Sequence, residues 1–400
     1  MSVNEKAIEL HRKNGGKLAI SPKVGVENKD DLSLAYTPGV AAVCTEIYKN
    51  KESVYDLTIK KNSVAIVTDG SAVLGLGNIG PEASLPVMEG KAILFKQFAD
   101  IDAYPICLDT QDTAEIIKAV RLIAPGFGGI NLEDISAPRC FEIEQKLQDL
   151  GIPVFHDDQH GTSLTLLAAL INSCKLSGKR MKDLKVVING AGAAGTSIVE
   201  VLLSKEHNPA VCEAVKDIII CDSKGIIHKN RPDIAGNKAK EYLANLTNKN
   251  QLQGDLATAM KGSDVFVGVS VPDAVTTEMV KSMNENPLVF AMSNPIPEIM
   301  PDLAKEAGAF IVGTGRSDFA NQVNNVLIFP GIFRGAIDAR SKVINMQMKL
   351  AAAYALAESV GTPTTERVLP AVFDKGIAQL VAKAVEHAAR TGELSPNVAA

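Results

Sequence analysis

The chain has 400 residues, 46% apolar and 22% charged, with a formal net charge of −5 and a pI near 5.8. That is a globular composition, too long for one ordinary core, so two domains are expected. The acidic balance argues against a nucleic-acid partner, and no apolar run reaches membrane-spanning length.

The first 60 residues read as mostly polar helix with a Pro-Gly break in YTPGV (36–40). The opening MSVNEKAIELHRKNGGK lacks the apolar core of a secretory leader. Six scattered cysteines (Cys44, Cys107, Cys140, Cys174, Cys212, Cys221) form no C-x-x-C pair. Free thiols in a reducing cytoplasm are the expectation.

An alternation of strands and helices follows. SVAIVTDG (63–70) is a β-branched strand ending at Asp69, followed by the glycine-rich LGLGNIG and a helix over 82–99. DAYPICLDT (102–110) is a second strand ending at Asp109, and FGGINLED (127–134) a third ending at Glu133 and Asp134. After the helix PRCFEIEQKLQDLG, a fourth strand, IPVFHDD, ends at Asp157 and Asp158. Such alternation predicts a parallel sheet with right-handed crossovers, so all these acids arrive at one rim, where open α/β sheets bind ligands.

Adjacent carboxylates at the end of a buried strand repel each other, and a divalent cation relieves that repulsion. Glu133, Asp134 and Asp158 are the best trio, and an all-oxygen set suits Mg²⁺ or Mn²⁺ over zinc. For any single aspartate, a helix cap or turn former is the plainer reading; two acid pairs ending neighbouring strands favour the metal. His156 and His160 suit packing or support of the acids better than zinc ligation. Lys91 lies among Met88, Ala92, Ile93, Leu94 and Phe95. A helix lysine usually snorkels to water; held near an apolar wall and a metal, it could instead have a lowered pKa and serve as a base. Tyr36 is ambiguous on its own.

A connecting helix over 163–179 leads to a second unit. The strand LKVVING (184–190) runs into Gly190-Ala191-Gly192-Ala193-Ala194-Gly195 and then a helix, TSIVEVLLSKE. G-x-G-x-x-G in this strand-to-helix setting is the dinucleotide fingerprint. Gly190 permits the turn, Gly192 admits a pyrophosphate, and Gly195 lets the helix pack on the strand. Asp222, with Ser223 and Lys224, ends the next strand, KDIIICDSKG (216–225), where an acid meets the adenosine ribose hydroxyls. Asp222 favours NAD and Lys224 offsets it, so NAD versus NADP stays open. DVFVGVS, PLVFAMSNP and AFIVGTG are further strands, and the chain is helical from about residue 331. The expected fold is α/β: an N-terminal catalytic domain (1–162) with a parallel sheet, a Rossmann-type doubly wound NAD(P)-binding domain (163–385), and a helical C-terminal tail (331–400).

Taken together, YTPGV, VTDGSAVLGLGNIGPEASLPVMEGKAILFK, GGINLEDISAPRCFEIEQKL, FHDDQHGT, NGAGAAG, CDSKG, SNPIPE and TGRSDFANQVNNVLIFPGIFRGA resemble the malic enzymes over residues 15–355, most closely their short prokaryotic branch. The resemblance implies oxidative decarboxylation of (S)-malate to pyruvate and CO₂ with reduction of NAD(P)⁺, and a homodimer or larger homo-oligomer. It makes Tyr36 the general acid, Lys91 the general base, and Glu133, Asp134 and Asp158 the Mg²⁺ or Mn²⁺ ligands. Asp157 would sit beside the metal, and Asn294 with Asn324 or Asn325 would contact substrate or nicotinamide. One departure stands out: longer members carry an arginine for a malate carboxylate where this chain has Ala72. The phosphotransacetylase-like domain of some relatives is not expected here. A metal-independent amino-acid dehydrogenase, a plain malate dehydrogenase and a non-catalytic dinucleotide sensor are the alternatives, and the carboxylate cluster argues against the first.

Overall fold

The computed structural model describes residues 2–73, 76–203 and 213–394. Cys212, Leu74 and Gly75 of the glycine-rich loop, and the end of the helix expected after GAGAAG lie outside the described residues.

Two parallel sheets form the frame. The first contains β1 (Ser63–Thr68), β2 (Asp102–Cys107), β3 (Gly129–Leu132) and β4 (Val154–His156), in the order β2-β1-β3-β4. The chain winds one way from β1 to β2 and the other way to β3 and β4, so a crevice opens at the carboxyl end between β1 and β3. Leu132 pairs with both Val67 and His156. Glu133 and Asp157, one residue on, therefore leave the sheet at the same level.

In the second sheet, β5 (Lys185–Asn189), β6 (Asp217–Asp222), β7 (Gly225–Ile226), β8 (Val265–Gly268), β9 (Leu288–Ala291) and β10 (Ile311–Thr314) lie in the order β10-β9-β8-β5-β6-β7. Only β7, a short return from β6, is antiparallel.

The helix Pro81–Ala99 has proline at its first position and stops at Asp100, which is left-handed at φ 51°. Its buried face is Ser84, Met88, Lys91, Ala92, Phe95 and Ala99, a helical stripe with Lys91 in the middle. Phe95 packs edge-on against Phe329 and Phe333, centroids 4.8 and 5.3 Å away, and Phe333 meets Phe155 of β4 at 5.8 Å. The helix Phe329–Asp338 thus returns from the second unit to close the first. The helical tail is a packed layer: Gly331 and Gly335 lie so close to Val381 and Val385 of the helix Ile377–Thr391 that a Cβ on either would sit 2.7 Å from the facing valine.

One feature differs from the sequence reading. Strand β4 ends at His156, and the helix Asp157–Ser177 begins on the aspartate pair, running unbroken through the boundary expected at 162/163. Two carboxylates in a helix's first turn complement its free N–H groups and dipole, which favours helix over strand there. The N-terminal arm also lacks a core of its own. None of the helices Val3–Asn14, Lys29–Ala35 and Val40–Lys49 buries a residue, and Leu34, Tyr36 and Tyr48 are 77%, 67% and 88% exposed. Among the described residues no helix is long and apolar enough to cross a membrane.

Candidate active site and metal centre

In an extended strand, successive side chains point to opposite faces. Glu133 and Asp134 escape that rule because the strand ends at Leu132 and Asp134 is left-handed, at φ 53°. Donor oxygens of Glu133, Asp134 and Asp158 converge to within 4.8 Å of one another. The Asp134 amide donates to Asp158 Oδ2 at 2.8 Å, tying the β3 loop to the start of the next helix.

Asp157 and Asp158 are one helical step apart and so face different ways. Asp158 joins the trio, whereas Asp157 is fully buried and accepts from Lys91 Nζ at 2.5 Å. Lys91 Nζ also lies 2.9 Å from Glu133 Oε1 and over the Phe329 ring, 4.1 Å from its centroid. Asn325 Nδ2 donates to the same Asp157 oxygen at 2.5 Å. Gly161, one turn after Asp157, makes room for this arrangement: a Cβ there would collide with Asp157 Oδ1 and lie 2.7 Å from Asn325 Cβ.

The electrostatics suit a bound divalent cation. Burial pushes Glu133 up to about 7 against the pull of Lys91, and repulsion from Asp158 adds to it. Burial likewise raises Asp157 to about 7 and Asp158 to about 6. Left alone, the cluster takes up protons; a divalent cation answers the same excess of negative charge. The trio therefore fits Mg²⁺ or Mn²⁺. Lys91 is buried and does not snorkel to water. Burial alone would lower its pKa, but attraction from Asp157, Glu133 and Asp158 outweighs burial and holds it above the ordinary lysine range.

The rest of the expected rim divides. Asp69 is engaged by Arg139 at 2.8 Å, and Asp109 is exposed. Ala72 is exposed, and its amide donates to the Asp134 carbonyl at 2.9 Å. Asn324 spends its side chain on the Val326 amide at 3.0 Å, so of the two asparagines it is Asn325 that reaches the buried cluster. Asn294 is exposed just past β9, and Tyr36 stands out on the N-terminal arm with no hydrogen bond to the cluster among the described residues.

Three supporting residues escaped the sequence reading. Asn131, fully buried on β3, donates to Glu133 Oε2 at 2.9 Å. Its signal was an amide two residues before Glu133 inside an apolar strand. Arg139 was hidden in a helix that reads as surface. Glu144 accepts the His156 amide at 3.1 Å and lies 2.9 Å from His160 Nε2. Burial opposes its ionisation, but His160 holds it down to about 2, while burial lowers His156 to about 4. Both histidines thus support the aspartate-bearing turn.

The second sheet carries the fingerprint loop as a cradle. Gly190 has φ 127°, with Val269 O 2.6 Å from where a Cβ would lie, and a Cβ on Gly195 would run into Gly190 O. Gly192 faces open space, and the helix Ala193–Leu202 starts beside it with Ala193 and Ala194 in its first turn. Loop and helix terminus fit a pyrophosphate. Asp222, however, is not free for ribose. Its two oxygens take the Lys224 amide (2.9 Å), both Arg231 terminal nitrogens (2.8 and 2.5 Å) and Lys240 Nζ (2.7 Å).

Comparison with known proteins agrees with this division of labour. The malic enzyme N-terminal domain profile matches residues 15–148, and the malic enzyme NAD binding domain profile matches residues 159–390. A bifunctional malic/malolactic enzyme of Bacillus subtilis is 56% identical over 392 residues, covering 97% of this chain and 93% of its own. An NAD-dependent malic enzyme of Geobacillus stearothermophilus is 52% identical over 396 residues, covering 98% and 80%. The crystal structure of an NAD-dependent malic enzyme from Thermotoga maritima superposes with a TM-score of 0.91 at 49% identity, covering 95% of this chain and 98% of that one.

Proposed function

The chain belongs to the malic enzyme family, and we propose that it converts (S)-malate to pyruvate and CO₂ while reducing NAD(P)⁺. The observation that carries this reading is a buried lysine held between Asp157 and Glu133, beside three convergent carboxylates at the crevice of the first sheet.

In this reading Glu133, Asp134 and Asp158 hold Mg²⁺ or Mn²⁺. Held there, such a cation would offset the carboxylate charge around Lys91 and would supply Lewis-acid polarisation of the substrate. The dinucleotide, seated on the 190–195 loop, supplies the hydride acceptor. Lys91 then takes the C2 hydroxyl proton as hydride leaves C2, with burial favouring its neutral form once the acids are neutralised. Asp157, pinned by Asn325, keeps Lys91 Nζ aimed and receives its share of the charge. Decarboxylation of the resulting keto acid leaves the enol of pyruvate, which needs a proton at C3.

We propose that Tyr36 supplies that proton from another chain. Its exposure, and that of Leu34 and Tyr48 on an arm with no buried residue, supports a homodimer whose arm covers the neighbouring site. Asn294 would meet the nicotinamide or substrate on closure. The scattered free thiols support a reducing cytoplasm.

The test is absorbance at 340 nm with (S)-malate, Mn²⁺ and either NAD⁺ or NADP⁺, with pyruvate and CO₂ assayed as products. Metal-dependent reduction with pyruvate is expected. Oxaloacetate accumulating without CO₂, or reduction unaffected by EDTA, would overturn the reading.

A further inference from the structure

Strand order places β8 beside β5, which carries the 190–195 loop, and β9 beside β8. Two turns leave the carboxyl ends of β8 and β9. One runs from Val269 and Ser270 to Val275, and Gly190 packs against Val269 O. The other runs from Ser293 to Glu298 and carries Asn294. Glu298 is fully buried and ties the two together. Its Oε1 accepts the Ser270 amide at 3.1 Å, its Oε2 the Ser293 amide at 3.0 Å, and its carbonyl the Val275 amide at 3.0 Å. Gly268, at the end of β8, leaves the space: a Cβ there would run into the carboxylate.

A buried carboxylate is costly unless it is paired, and no cation among the described residues pairs with this one. Burial pushes its pKa up, although the Ser270 and Ser293 amides pull the other way. Serine, asparagine or main-chain groups close ordinary turns without that cost. What a carboxylate adds is two strong acceptors in one rigid plane, which fixes the ends of two strands relative to each other. The outer side of the Asn294 turn is held as well. Arg316 Nη1 donates to the Pro295 carbonyl at 3.1 Å while Nη2 pairs with Asp318 at 2.6 Å. Between these fixed points Asn294 is exposed, its amide lying over Gly315, where a Cβ would sit 2.5 Å from Nδ2.

We propose that Glu298 is a positioning residue for hydride transfer. Its carboxylate locks the Ser293–Asn294 turn to the Ser270 turn, and so sets where Asn294 meets the nicotinamide or substrate. The inference rests on the reading that Asn294 reaches the reacting centre.

The test is single-turnover reduction of NAD(P)⁺ at 340 nm with Mn²⁺ and saturating malate, on the full-length protein. Its amplitude counts folded sites and its rate constant reports hydride transfer, so a residue that only supports the fold moves the amplitude alone. Glu298→Gln keeps the size but turns an NH₂ group towards one of the two amides. The rate constant should fall about tenfold to a hundredfold with the amplitude retained, the penalty of a displacement of up to about 1 Å at a reacting centre. Glu298→Asp keeps the charge but draws both oxygens back by one carbon. It should slow the same step, and it carries the test where Glu298→Gln does not fold. In a cycle with Asn294→Ala, the double variant should be no slower than Asn294→Ala alone, because the two residues act as one unit. Wild-type rate constants in both Glu298 variants, or losses that multiply in the double variant, overturn the proposal while Asn294→Ala stays impaired. A wild-type rate in Asn294→Ala overturns the Asn294 reading and the proposal with it. No reduction by the wild type overturns the functional reading itself.

Discussion

Gly161→Ala tests the geometry of the aspartate pair more sharply than removing a charged group. Gly161 is interior to the helix Asp157–Ser177, where alanine ordinarily stabilises by about 1 kcal/mol. Here the added Cβ meets Asp157 Oδ1 inside any tolerable distance and lies 2.7 Å from Asn325 Cβ, about 1 Å closer than carbon atoms pack. Neither neighbour is a loose surface group, because Asp157 is fully buried between Lys91 and Asn325. Overpacking of this kind costs roughly 1–3 kcal/mol, which cancels the helix gain and leaves a net loss of up to about 2 kcal/mol. A shift of about 1 Å also carries Asp157 out of hydrogen-bond range of Lys91, which corresponds to on the order of a hundredfold in kcat. Thermal melts and steady-state malate oxidation are run together on Gly161→Ala and on Gly90→Ala. The latter control is another helical glycine, whose Cβ would meet only the end of the Lys17 side chain, at 3.4 Å. Gly161→Ala melting higher than wild type with full activity would refute the packing account.

Lys91→Ala is expected to abolish malate turnover while NAD(P)H still binds; retained turnover removes Lys91 as the base. Asp158→Asn should weaken Mn²⁺ binding by about tenfold or more in a titration followed by electron paramagnetic resonance, and a wild-type isotherm would remove it from the ligand set. The raised carboxylates predict a pH dependence with a definite sign. At pH 5 Glu133, near 7, and Asp158, near 6, hold protons that Mn²⁺ must displace, so affinity should rise from pH 5 to about pH 7 and level off above. Affinity that is flat or falling across that window contradicts the assignment. Tyr36→Phe and Lys91→Ala, each inactive alone, should regain malate oxidation when unfolded and refolded together, because one mixed site then has both groups. No recovery despite mixed-dimer formation would place Tyr36 outside the neighbouring site.

What the sequence made legible follows from which physics is local. Strand alternation and β-branched runs act over a few residues, so both parallel sheets and the convergence of Glu133, Asp134 and Asp158 on one rim were readable. The helix beginning at Asp157 was not, because periodicity in HDDQHGT is too short to separate a strand end from a first helical turn, and the deciding contribution is the helix terminus acting on two carboxylates. The charged partners of Lys91 were hidden for a related reason. Its apolar helical neighbours announce burial, which lowers a lysine's pKa, while Asp157 and Glu133, 66 and 42 positions away, set the sign. Asp222 shows the same limit at the cofactor loop: Arg231 and Lys240, which fold back onto its carboxylate, are invisible from the residue type. In each case the local sequence placed the group, and partners distant in sequence set its electrostatic surroundings. A carboxylate or ammonium read in isolation therefore predicts location better than protonation or ligand preference, and the experiments above are aimed at the latter.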